Sequence, residues 1–259
     1  MKHTGLFGRT STLTLLLTLA LPATTDIAKW RADYEASLKA PDGWLSVAGL
    51  VWLHEGSNTV GPAILNLHGN KVTYQGRPLQ SDISEHPDVV KVDNISITVI
   101  DRGGKLGARL RDPNAATRRE FTGCNWFRAS ASWDIKAKWV AYLQPKKIAI
   151  TNILGMTDQE PSPGYAEFTV DGTTVRLEPV TEDGELFFMF RDATSGKTTY
   201  GAGRFLYAAM PKAGTVDLDF NKAHNPPCAF TAFATCPLPP KQNVLKVAID
   251  AGEKNYGKH

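Results

Sequence analysis

The most distinctive run of side chains that could do chemistry lies in residues 217–240. They read Asp217-Leu-Asp-Phe-Asn-Lys-Ala-His-Asn-Pro-Pro-Cys228, then Ala-Phe-Thr-Ala-Phe-Ala-Thr-Cys236-Pro-Leu-Pro-Pro240. His224, Cys228 and Cys236, with Asp219 as a fourth donor, supply the ligand types of a zinc site, but Cys236 does not complete a second closely spaced pair. Cys228 with His224 four residues away has the makings of a thiolate beside a base, provided that no disulfide consumes it. Two cysteines so placed in an oxidising compartment are more readily spent on a disulfide. We therefore expect Cys228 and Cys236 to be bonded, with no metal and no cofactor. Closing so short a loop is worth about 2–3 kcal/mol in the chain-entropy model. Cys124, far away in Thr-Gly-Cys-Asn-Trp, is then a free, buried, small apolar residue.

A second polar set comprises Tyr200, Arg204, Asp219, Asn221 and Asn225, with Glu253 beyond it. On a strand Asp219 and Asn221 share a face, and so do Tyr200 and Arg204. This set suits ligand binding. It also suits acid/base chemistry, with Arg204 clamping an oxyanion, Asp219 as the base and His224 as a further catalytic candidate. The plainer use is a buried network that satisfies the backbone of the loop, as Asn and Asp do near turns. Other signatures are missing. There is no G-x-S-x-G, Thr194-Ser195-Gly196 reads as a hairpin turn, and Gly201-Ala-Gly203 lies in a β-prone run rather than at the start of a helix.

These residues need elements to hold them. Ile27, Trp30, Tyr34 and Leu38 recur at helical steps and predict one amphipathic helix over residues 26–39, stopped by Pro41-Asp42-Gly43. Beyond it the period is two. Trp133, Ile135, Ala137, Trp139 and Ala141 alternate with Asp134, Lys136 and Lys138. Trp44 and Trp52 likewise read as members of a buried strand. Gly69-Asn70, Gly103-Gly104, Asp171-Gly172, Asp183-Gly184 and Ser195-Gly196 punctuate β-prone runs as hairpin turns. Residues 165–170, 173–180, 185–192 and 197–208 predict an antiparallel meander, and residues 244–250 a last strand after the loop. The five prolines at 226, 227, 237, 239 and 240 make that loop irregular and stiff. The fold class that follows is all-β, an antiparallel barrel or two-sheet sandwich with one N-terminal helix.

Residues 1–23 read as a signal peptide: Lys2 and Arg9 precede a leucine-rich run too short to span a bilayer, and Ala23 suits cleavage. The expected destination is periplasmic or secreted, with residues 24–259 as one β-rich domain. Without residues 1–23 the formal charge falls from +3 to +1, because Lys2 and Arg9 leave and no acid does. So neutral a chain has no electrostatic reason to bind nucleic acid, and no second apolar run predicts a membrane span. Arg109, Arg111, Arg118 and Arg119, interrupted by Asp112 and Glu120, read as a solvated or salt-bridged face.

Gly43-Trp-Leu-Ser-Val-Ala-Gly-Leu-Val-Trp-Leu53 resembles the opening block of a bacterial family of uncharacterised proteins, the domain of unknown function 1684. Thr199-Tyr-Gly-Ala-Gly-Arg-Phe-Leu206, Leu218-Asp-Phe-Asn221, Asn225-Pro-Pro-Cys-Ala-Phe230, Cys236-Pro-Leu-Pro-Pro240 and Ala251-Gly-Glu253 resemble its later blocks, in order. The resemblance implies no activity. It does imply an aromatic residue where this chain has His224. Three functional readings stand: a protein binding a small molecule or envelope component beside the Pro-rich loop, an acid/base hydrolase or lyase using Asp219 and Arg204, or a non-catalytic structural partner. The signal predicts that the mature chain begins between residues 21 and 27; N-terminal sequencing of the exported protein should find that start, and an intact Met1 in the membrane fraction would contradict it.

Overall fold

The computed structural model describes residues 24–257; the signal-like segment, residues 1–23, lies outside the described residues. Helix α1 (Thr24–Leu38) carries Asp26 in its first turn, where a carboxylate complements the helix dipole. Its less exposed residues, Ile27, Trp30, Arg31, Tyr34, Glu35 and Leu38, follow the three-and-four spacing and form one docked face. The chain leaves it through the turn before Gly43, as the Pro-Asp-Gly stop predicts.

Apart from the single-turn helix α2 (Ala116–Arg119) and short 3-10 turns, the rest is antiparallel sheet and irregular loop. Two four-stranded sheets form the N-terminal part. One has the order β1 (Val47–Trp52), β8 (Lys105–Arg111), β7 (Ile95–Arg102), β6 (Val89–Val92), and the other runs β2 (Gly56–Val60), β3 (Ala63–His68), β4 (Lys71–Tyr74), β5 (Arg77–Pro78). Their facing sides share a core that includes Val60, Leu65, Ile97, Val99 and Ala108.

The C-terminal part has a four-stranded sheet in the order β11 (Thr173–Leu177), β10 (Thr157–Val170), β9 (Asp134–Thr151), β15 (Thr215–Asp219), and a three-stranded one, β12 (Val180–Glu182), β13 (Glu185–Phe190), β14 (Arg204–Ala208). The hairpins turn where expected: Asp171-Gly172 and Asp183-Gly184 all have positive φ, the conformation that tight two-residue turns require. Strand β13 is buried on both faces, which explains its unbroken Leu-Phe-Phe-Met-Phe. Leu186, Phe188 and Phe190 join Phe168 and Phe220 in the main core, while Phe187 and Met189 face a second cluster with Ile148, Ile150 and Cys236. The strands lie in four open antiparallel sheets, so the mostly-β expectation holds and no barrel closes.

Two expected strands are shorter or absent. Residues 197–203 form turns, and only Arg204–Ala208 is extended, because Thr194 O and Thr199 O close tight hydrogen bonds between residues 194 and 199. Residues 244–250 belong to no sheet. Leu245, Val247 and Ile249 do alternate into the main core, but beyond single bonds to Arg191 and Ala193 the partners of this backbone are side chains. The Arg204 guanidinium donates to Ile249 O at 2.9 Å and to Ala251 O, and Asp192 Oδ1 lies 3.5 Å from the Ile249 amide. An ion pair takes the place of a strand there.

That pair, Arg204 Nη2 to Asp192 Oδ2 at 2.7 Å, has no exposed surface on either side chain. Asp192 Oδ1 also accepts from the amide and hydroxyl of Thr194. Breaking a buried pair leaves an uncompensated charge, a cost of about 3–5 kcal/mol. Asp192→Ala should therefore lower the unfolding free energy measured by urea titration by an amount in that range, and a loss below about 1 kcal/mol would contradict the clasp.

Candidate functional site

The Pro-rich segment is irregular, as its composition predicts, and short 3-10 turns at Phe220–Lys222, Pro227–Ala229 and Lys241–Asn243 carry it. Its polar residues hold backbone. Asp219 Oδ1 accepts from the Asn221 amide at 3.2 Å and from its Nδ2 at 2.9 Å, and Lys222 Nζ lies 3.3 Å from the other oxygen. Asn221 in turn grips Ser130, accepting from its amide and donating to its carbonyl, each at 2.9 Å. The Asn225 amide donates to Glu253 Oε2 at 2.8 Å, its Nδ2 donates to Lys254 O, and its carbonyl accepts from the Tyr34 hydroxyl at 3.2 Å. Tyr200 donates to Cys228 O at 3.2 Å. Arg204 and Asp219, paired in the acid/base reading, thus sit in separate networks. Burial raises Glu253 to about 7, with the Asn225 amide as the main opposing influence.

Cys124, Cys228 and Cys236 are all free thiols in this structure. The segment between Cys228 and Cys236 doubles back as a bridge would require, and the Cys228 amide donates to Cys236 Sγ at 3.1 Å, yet the sulfurs are partners and not bonded. The Cys236 thiol and then the Tyr200 hydroxyl favour a Cys228 thiolate and bring it to about 7, against the effect of burial; Cys236 is raised correspondingly. Cys124 is half-buried rather than fully buried, and burial beside Glu253 raises it. Among the described residues, no three His, Cys, Asp or Glu side chains are grouped to hold a metal.

His224 fills the place of an aromatic ring. Trp30, Tyr34, Phe205 and Tyr207 surround it with centroids between 4.9 and 6.2 Å, and Tyr207 is stacked on it at 9°. Its Nδ1 is 3.0 Å from Lys222 O, which fixes the proton on that nitrogen. Burial in this ring cluster depresses its pKa to about 4, so the imidazole is neutral.

Beside this cluster opens a cavity of about 490 Å³. Tyr34 and Leu38 of α1, Phe187, Phe205 and Tyr207 of β13 and β14, Trp44, and the loop residues His224, Asn225, Pro227, Thr235 and Cys236 form its walls. Glu182, held by the Tyr207 hydroxyl at 2.6 Å, and Arg102, paired with Asp82 at 2.7 and 3.0 Å, bring charge to it. Of the residues singled out in the sequence, His224, Asn225 and Cys236 line this cavity; Tyr200, Arg204, Asp219 and Asn221 stand behind it and support the loop.

Sequence reasoning missed the other half of the wall. Trp44 is in a 3-10 turn (Trp44–Ser46), not a strand, and the guanidiniums of Arg109 and Arg111 lie over its ring at 5.0 and 5.9 Å. Nor is the arginine cluster wholly a solvated face: Arg119 is exposed, but Arg109 is 5% exposed and no carboxylate pairs with it among the described residues. The two-residue spacing of Arg109 and Arg111 already placed them on one face of β8. Which face was buried depended on Trp44, far away in sequence.

Residues 119–254, just over half of the chain, match the family described as protein of unknown function (DUF1684). The chain belongs to this family. A solved structure with a similar chain is the solution structure of an uncharacterised protein of Haloarcula marismortui, 28% identical over 55% of this chain and 81% of that one, with a TM-score of 0.46. No curated protein matches. The DUF1684 match takes in β9 to β15, the Pro-rich loop and Glu253, whereas Tyr34, Trp44, Arg102 and Arg109 reach the site from the residues before it. The block at residues 43–53 that resembles the family also lies outside the matched residues.

The two shifted groups in this part of the DUF1684 chain act oppositely on stability. His224 is depressed from 6.5, so its contribution is full above 6.5 and is lost as pH falls through 4. Glu253 is raised from 4.5, so its contribution is full below 4.5 and is lost as pH rises through 7. His224→Phe keeps a flat ring and removes only the first effect. Its Tm should fall less than that of the natural protein between pH 6.5 and 4, and parallel curves would contradict a neutral His224.

Proposed function

We propose that this is an exported protein that binds a small molecule with a flat or ring-shaped body in the cavity beside the Pro-rich loop. The observation that carries this reading is the preformed cavity itself. At about 490 Å³ it is in the range of about 300–1,000 Å³ typical of ligand sites, and aromatic side chains make up much of its wall. Polar groups are few and fixed, as orientation of a ligand requires: Arg102 by Asp82, Glu182 by Tyr207, Asn225 by Glu253. Binding is preferred to acid/base chemistry because Asp219 and Arg204 are engaged elsewhere and neither lines the cavity.

Export would carry the chain into an oxidising compartment. There Cys228 and Cys236 would close, giving up two protons and two electrons to a thiol-disulfide oxidant and fixing the wall to which Cys236 contributes. Among the described residues no helix is long and apolar enough to cross a membrane.

Native mass spectrometry of protein purified from the periplasm checks these points together. A retained small molecule, and a polypeptide two hydrogens lighter than its reduced form, are expected. Phe205→Ala should lose the retained species with its circular dichroism unchanged. A ligand-free protein from cells, together with no thermal shift from benzoate, phenyl phosphate or benzyl alcohol, would overturn the binding reading.

A further inference from the structure

Against two lining residues at one end of the cavity, Trp44 and Thr235, lies a cation that no carboxylate pairs with among the described residues. Arg109 projects from β8, is 5% exposed, lies over the Trp44 ring at 5.0 Å and makes one marginal hydrogen bond, Nη2 to Thr235 Oγ1 at 3.5 Å. Its Nε is buried without any acceptor, and so is the Nε of Arg111 two residues on. Among the described residues neither arginine forms an ion pair; Asp82 acts on both of them, and Asp42 on Arg111, only through space. Arg102, whose Nε donates to the same Thr235 oxygen at 2.9 Å, is the one guanidinium of the three with a carboxylate partner. Thr235 receives both arginines on its oxygen, so its own hydrogen is left to point elsewhere, and Thr235, Trp44 and Arg102 all line the cavity.

Buried cations are normally paired, because desolvation of a lone charge is costly. Proteins keep such a group where a ligand completes it. Burial first, then repulsion by Arg102 and Arg111, brings Arg109 down to about 10, which still leaves it charged at neutral pH. A guanidinium without a carboxylate partner, beside a hydroxyl donor and an aromatic face, suits the chemistry of a carboxylate or a phosphate.

We infer that the Trp44–Thr235 end of the cavity takes the oxyanion of the bound molecule, a carboxylate or phosphate, with Arg109 as its cation and Thr235 as a neutral donor. This rests on the binding reading above and adds the charge of the ligand. The aromatic wall of Phe187, Phe205 and Tyr207 then takes its apolar body.

Calorimetric titration with benzoate, phenyl phosphate and benzyl alcohol separates the two levels. The natural protein should bind at least one of the anions about tenfold or more tightly than the alcohol, one factor of ten being a modest return for a charge-assisted bond. Which anion is preferred tells carboxylate from phosphate. Arg109→Met should reduce anion affinity to that of the alcohol while raising the Tm of the free protein, because it removes an unpaired buried charge and keeps the volume. Thr235→Val should weaken the anions and leave the alcohol unchanged. Equal binding of all three probes would overturn the oxyanion site and leave the cavity reading intact; binding of none would fail both. A lower Tm for Arg109→Met with anion affinity retained would also overturn the inference, since Arg109 would then be a structural residue.

Discussion

The Arg204–Asp192 pair is the constraint from which the geometry of the site descends. Its guanidinium replaces the missing neighbour strand for residues 249–251, and Asp192 orders the turn at Thr194 that leads back to β14. Once Ile249 O and Ala251 O are held, Gly252 passes so close to Ala223 O that a side chain on it would have 2.3 Å of room, and Glu253 is delivered fully buried beneath Asn225. Asn225 is the hinge between the C-terminal segment, α1 and the Pro-rich loop. An ion pair without exposure thus positions a cavity it never touches.

The loop itself resolves a conflict. Five prolines remove backbone donors, and the remaining amides and carbonyls must find partners without a strand alongside. Asp219, Asn221, Asn225 and Tyr200 supply them, and the rigid turns that result let Asn225, Pro227, Thr235 and Cys236 face open space in place of packing against a sheet. The neutral His224 ring completes the floor, where its Nδ1 proton is satisfied by Lys222 O and its flat surface is used as any aromatic would be.

Legibility in the sequence followed the range of the interactions. The helix, the Asp-Gly hairpins, the alternation on β9 and the irregularity of the loop are local, and each was readable from spacing and turn chemistry. Residues 244–250 were read as a strand; Leu245, Val247 and Ile249 do alternate into the core, but a β-prone run does not say whether a strand or a guanidinium receives the backbone. The polar set was found, yet its members were indistinguishable from ligand contacts because Ser130, Glu253 and Lys254, which occupy them, come from other parts of the chain. Arg109 shows the same limit from the other side: a charged residue between apolar ones looks solvated until Trp44 and Thr235 are brought over it.

The eighteen-residue strand β9 pairs with β10 through residues 138–151 and with β15, some eighty positions later, through residues 134–138, and it contributes Ala137 to one core and Ile148 and Ile150 to another. The cavity adds further distant closures, joining Tyr34 to Asn225 and Thr231 to Val47. Contacts of such sequence separation place folding in the slower, roughly millisecond-to-second regime of β-rich domains. A ribosome-bound chain therefore cannot assemble this site until nearly all of these residues have emerged, so the cavity is among the last parts of the molecule to form.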